Sequence, residues 1–166
     1  MARRLREAGF EVVTVDPAPG MQADVIARAE DVPFADDSFD VVVSRIAPHH
    51  FDDIRAAVNE MARVARRLVL VVDNLYRGDV VEEAERLRDP THVRNYSEEE
   101  WRVFFDDAGL DVEDVRLLDL QIELEPWLER AGCAGEEADR VRELLGALID
   151  DGRLRMQRIA LKGRVR

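Results

Sequence analysis

Short apolar runs alternate along this chain with stretches of helical periodicity. Val12-Val13-Thr14-Val15 is β-branched and ends in Asp16. Such a run suits a buried parallel strand. Pro17 and Pro19-Gly20 break it at once. Asp24 to Ala27 is a weaker strand. Phe39 to Ser44 and Leu68 to Val72 are stronger ones, the latter ending at Asp73-Asn74. Between these two, Ile54, Val58, Met61 and Val64 or Ala65 share one helical face. Asp52 or Asp53 can cap that helix, which runs to about Arg66. Ala2 to Ala8 reads as the last turns of an earlier helix, stopped by Gly9.

Further on, Asp79 to Leu87 is helical. Ser97-Glu98-Glu99-Glu100 is a capping box that opens a helix to about Ala108, stopped by Gly109. Val112 to Leu120 and Met156 to Val165 are candidate strands at the far edge of a sheet, with helices at Glu125–Cys133 and Glu136–Ile149 between them. Strands alternating with helices predict an α/β fold, a mostly parallel sheet with helices on both faces. At 166 residues the chain can bury one core, and residues 1–166 are expected to form a single domain. There is no internal repeat or low-complexity segment.

Charge narrows the partners. The net charge of -12 disfavours nucleic acid, because phosphate binding needs clustered cations. Arg63, Arg66 and Arg67 lie close together, and their plain reading is a solvated helix face. Cys133 is the only cysteine, so a disulfide framework and a cysteine metal site are both excluded. No apolar run reaches the length of a membrane span. A cytoplasmic protein with no membrane partner is the expectation.

Four segments can carry chemistry. Asp16, at a strand's end, can accept both hydrogen bonds of a ribose diol or simply prepare the turn at Pro17. Ala29-Glu30-Asp31-Val32-Pro33-Phe34, an acidic turn, then Ser38-Phe39-Asp40 and a valine-rich strand form the most specific pattern. In it Phe34, Phe39 and Asp40 read as structural. His49 and His50 follow that strand. One could orient a substrate or take a proton near neutral pH. Equally, one imidazole could bond the backbone and cap the next helix. Adjacent side chains diverge, so the two are not expected in one pocket. No third residue is spaced to join them on a metal. Arg88 to Tyr96 suits a lid or a substrate loop, with His92 and Tyr96 as candidate contacts, or else a solvated loop fastened by Tyr96. Trp101 and Trp127 read as core.

Together these segments resemble class I S-adenosylmethionine (SAM) methyltransferases, in the small-molecule branch called type 11. The resemblance implies a Rossmann-like sheet, SAM as cofactor and a small-molecule methyl acceptor. It assigns Asp16 to the cofactor ribose. Ala29, Glu30 and Asp31 fall at the adenine turn, and Ser44 with Arg45 at the methionine end. Glu60-Met61-Ala62-Arg63-Val64 matches the family's helix before its fifth strand. Asp89-Pro90-Thr91-His92-Val93-Arg94 and Glu100-Trp101 look like a subgroup signature.

The chain departs from the family pattern in three ways. The glycine-rich turn and its central strand, where a Cβ would block close approach to the cofactor, are missing before Met1. Arg28 stands where an acid usually receives the adenine amino group. The helix after Asp16 is reduced to a turn. Removing the central strand leaves two strand edges in need of partners. The Val12 and Phe39 strands could pair directly, or a second copy could fill the gap as a homodimer. Two readings therefore stand: an active methyltransferase with His49 or His50 serving the acceptor, or a truncated, degenerate domain without SAM that acts as a binding or assembly module.

Overall fold

The computed structural model describes residues 1–166. Its elements are α1 (Ala2–Glu7), β1 (Phe39–Arg45), α2 (Ile54–Val64), β2 (Ala65–Asn74), α3 (Asp79–Arg88) and α4 (Glu98–Asp107), then β3 (Leu110–Glu123), α5 (Leu124–Glu129), α6 (Gly135–Leu144), β4 (Ile149–Asp150) and β5 (Arg153–Val165). The capping residues set the helix starts. Asp53 accepts from the Arg55 and Ala56 amides at 3.0 Å each, opening α2. Ser97 and Glu100 form the reciprocal box on α4.

The sheet runs β1-β2-β5-β3, with β4 a hairpin arm on β5. The α/β class and the layering of helices on the sheet hold. The ladder itself is mixed. β1 and β2 pair in parallel, and β5 is antiparallel to β2, β3 and β4. The reason lies in residues 12–27. Val12 to Val15 and Asp24 to Ala27 do not extend the sheet and meet each other in one parallel bridge, Val15 to Val25. Thr14 closes this pair, giving its amide and hydroxyl to Asp24 at 2.7 Å each. The Val12 and Phe39 strands do not pair. The outer edge of β1 therefore has no neighbour, and Val41 and Val43 are 41% and 36% exposed. Polar contacts hold the N-terminal segment in place: Arg63 reaches the Phe34 carbonyl and Asp36 at 2.8 Å each, and Glu60 accepts from the Val32 amide.

Two apolar clusters form the core. Ile54, Val58, Met61, Val69, Trp101 and Phe105 belong to one, under α2 and α4. Leu124, Trp127, Leu128, Val141, Leu154 and Met156 belong to the other, under α3, α5 and α6. Side chains alternate along a strand. On β5 this puts Leu154 and Met156 in the second cluster and Ile159 and Leu161 in the first. Arg158 shares the parity of Leu154 and Met156, so it faces the α3–α5 side. The helix expected over Glu136–Ile149 ends early at Leu144, since Gly146 opens a tighter turn to Leu148. Asp151 and Gly152, with φ of 45° and 70°, form the two-residue hairpin between β4 and β5.

Candidate active site

A cavity of about 270 Å³ opens where β1, β2 and β5 meet the ends of α3 and α5. Arg45 ends β1, and the next residue, Ile46, is left-handed at φ 52°. A β-branched residue seldom adopts that geometry, and such strain concentrates at functional turns. The Ile46 amide is held by the Val72 carbonyl at 2.8 Å. The chain then enters a tight turn, Pro48–His50, which carries both histidines to the cavity wall. Their ring centroids are 4.1 Å apart. This corrects the expectation that adjacent histidines diverge. Divergence is a property of extended backbone, whereas a 3₁₀ turn rotates successive side chains by only a third of a circle.

The two imidazoles differ in their surroundings. His49 is buried, and its Nδ1 lies 2.6 Å from Oδ1 of Asp73 at the end of β2. Asp73 is fully buried, and its Oδ2 has no partner. An ionised carboxylate can only accept, so Nδ1 of His49 carries the proton and Nε2 is the basic nitrogen. Burial opposes the imidazolium. The bond to Asp73 and its charge, helped by Glu85 and Asp89, outweigh that, and the His49 pKa rises above its ordinary value. His50 donates through Nδ1 to the Thr91 carbonyl at 2.9 Å. Burial pushes its pKa down, and it stays neutral. The backbone bond foreseen for one histidine thus belongs to His50, while Asp53 caps the helix.

Behind the cavity lies a buried polar network. Glu82 on α3 accepts from the Asn95 amide and side chain at 3.1 and 2.8 Å, and from His92 at 3.2 Å. Burial raises the pKa of its neighbour Glu85, although His92, His49 and Arg88 pull the other way. The His49 carbonyl accepts from the Val93 and Arg94 amides at 2.8 and 3.2 Å. These bonds pin the loop after α3 against the histidine turn. On the far wall Arg88 lies over the Trp127 ring at 4.4 Å and donates to the Trp127 carbonyl at 3.1 Å.

The cavity brings together Arg45, His49 and His50 from among the residues singled out in sequence. Asp16 accepts the Ala18 amide at 2.9 Å through Oδ1, as a turn-forming acid does, and its other oxygen has no protein partner. Glu30 accepts from the Asp52 and Asp53 amides at 2.9 and 3.3 Å and pairs with Arg28. It fastens the turn at Ala29 and Asp31 to the start of α2. Ser44 lies on β1, paired with Val71 of β2, and does not line the cavity. His92 and Tyr96 are 5% and 6% exposed and do not line the cavity. Both act from behind, His92 in the Glu82 network and Tyr96 in the core with Trp101 and Phe104. Sequence reasoning missed Asp73, Arg88, Arg130 and Arg158. Asp73 was visible as an acid ending a strand. The three arginines come from α3, the end of α5 and β5, which only the folded topology brings together.

A family model described as a methyltransferase domain matches residues 1–72. The uncharacterized methyltransferase YcgJ of Bacillus subtilis (strain 168) is 37% identical over 132 residues, covering 75% of this chain and 52% of the relative. The uncharacterized protein YafE of Escherichia coli (strain K12) is 36% identical over 122 residues, covering 69% of this chain and 58% of its own length. The chain thus spans a little over half of these curated relatives. The crystal structure of YcgJ superposes with a TM-score of 0.77 at 29% identity, over 99% of this chain and 76% of that one. Sequence, sheet topology and superposition agree, and the chain belongs to the class I methyltransferase family.

Proposed function

We propose that this domain transfers a methyl group from SAM to a small-molecule acceptor, with His49 as the general base. The carrying observation is the His49–Asp73 pair, which keeps a basic Nε2 on the wall of a cavity at the carboxyl ends of β1 and β2. In open α/β sheets ligands gather at that end.

The chain fits the cofactor in part. Asp16 has one oxygen free for a ribose hydroxyl, and the turn at Ala29, Glu30 and Asp31 is rigidly fastened. Ser44 would stand at the methionine end, with Arg45 beyond it on the cavity lining. When bound, SAM supplies an electrophilic methyl carbon on a sulfonium. The residues do the rest. The acceptor's O–H or N–H would give its proton to His49 Nε2, freeing the lone pair that takes the methyl group. The imidazolium left on His49 is stabilised by Asp73. His50, held by Thr91, presents a neutral Nε2 that can accept a hydrogen bond and orient the acceptor. Positioning and proton removal are the catalytic contributions.

Incubation with methyl-labelled SAM and a small-molecule extract is expected to move label into the small-molecule fraction. His49→Gln is expected to slow this by about 10²- to 10⁴-fold, the usual worth of a general base. A folded chain that labels nothing overturns the reading. A second reading, an assembly module without SAM, is favoured by the unpaired edge of β1 and by exposed Phe10, Val13 and Ile26. It expects a homodimer in sedimentation, and a clean monomer counts against it.

A further inference from the structure

Most arginines of this acidic chain are neutralised by a carboxylate within 4 Å, as in Arg63 with Glu60 and Arg142 with Glu125. The arginines of the cavity are not. Arg45, Arg130 and Arg158 form no ion pair, and Arg88 has only a loose one to Asp89 at 3.8 Å. They come from β1, α3, β5 and the residue just after α5, and meet at one hole. Arg158 is half-buried on β5 and donates only a long bond, 3.4 Å, to Asn74. Its pKa is lowered by burial first and then by the charge of Arg45. Asp73 and Glu85 pull the other way without pairing with it, and like charges held together without direct ion pairs are costly to the fold. The protein had acids to spare, with 36 against 24 basic residues, and placed only Asp89 at this wall. Apolar residues share the lining with them: Ile46, Ile122, Trp127 and Met156.

We propose that this cavity receives the anionic end of a small molecule, a carboxylate or a phosphate, through Arg45, Arg130 and Arg158, with the molecule's apolar body against Trp127 and Met156. Resting on the methyl-transfer reading above, this makes the acceptor an amphipathic organic acid or phosphate ester rather than a neutral or cationic compound. Guanidinium groups suit both anions because their N–H groups match two oxygens at once. A volume of about 270 Å³ limits the guest to a compact molecule. Placing the anion at the arginines sets the rest of the acceptor beside His49, which shares the wall.

The test is a titration of the isotope-labelled full chain, following the arginine side-chain N–H signals by NMR. Three probes are used separately: malonate, inorganic phosphate and S-adenosylhomocysteine (SAH). Malonate or phosphate is expected to shift the Arg45, Arg130 and Arg158 signals saturably. The stronger of the two tells carboxylate from phosphate. In R45Q/R158Q the affinity is expected to fall at least about tenfold, while R67Q, an unpaired arginine away from the cavity, changes nothing. R130Q removes an exposed member and guards against a folding defect in the double variant. No saturable shift, or equal affinity in the double variant, overturns the proposal. So does SAH that displaces malonate from the same arginines, since they would then serve the cofactor. Anion binding by a chain that does not bind SAH sinks the methyl-transfer reading and leaves the anion site standing.

Discussion

At the level of single residues the account turns on the pair His49–Asp73. The folded pKa of His49 is raised, so the charged pair stabilises the protein fully below the unfolded imidazole value, near 6.5, and that stability is lost as pH rises through the folded value. Asp73→Asn removes the charge and leaves burial, which favours neutral imidazole. Stability is expected to fall by about 2 kcal/mol at pH 5.5 and by less at pH 9, and the His49 titration by NMR is expected to move below its ordinary value. A loss independent of pH contradicts the assignment. Glu85 has the same sign for a different reason. Burial raises its folded pKa, so ionising it costs stability as pH climbs above the ordinary carboxylate range. Glu85→Gln is expected to flatten the decline in urea midpoint between pH 4.5 and 7.5. An unchanged slope means that Glu85 is not the cause. Glu82, with its pKa lowered by His92 and Asn95 against burial, contributes in the opposite window, and that stability goes as pH falls through its folded value.

At the level of elements, local signals decided most boundaries. The capping box at Ser97 and the cap at Asp53 are short-range devices, and both helices start where those residues place them. Asp53→Ala is expected to cost about 1 kcal/mol in chemical denaturation. Gly163 belongs to a different class, since its role depends on a partner far away in sequence. A Cβ there would come 2.7 Å from Cδ1 of Phe105 and 3.2 Å from Cβ of Leu110. Gly163→Ala is therefore expected to destabilise the chain by about 1–3 kcal/mol through overpacking between α4 and β5, and no loss of stability means that the ring can move aside. Val12 to Val15 illustrates the limit of local reading. Its composition is that of a strand, but a strand also needs a neighbour, and here the sole one is a bridge to Val25. Likewise the turn at Pro48 brought His49 and His50 to one wall against the alternation rule, because that rule holds only for extended backbone. Legible in the sequence were the strands at Phe39 and Leu68 and the place of His49 and His50 just after the first of them. Not legible was the meeting of Arg45, Arg88, Arg130 and Arg158, which arises from tertiary packing.

Across the whole molecule, two well-packed clusters carry a cavity lined by basic and apolar residues, while one sheet edge stays open. No helix is long and apolar enough to cross a membrane. On the methyl-transfer reading proposed above, Asp16 is the residue on which cofactor binding should depend most. Calorimetric titration of the 166-residue chain with SAH tests this directly. The account predicts saturable binding that Asp16→Ala weakens by at least about tenfold, the loss of a charge-assisted hydrogen bond. A folded chain that takes up no SAH, or binds it equally well without Asp16, contradicts it.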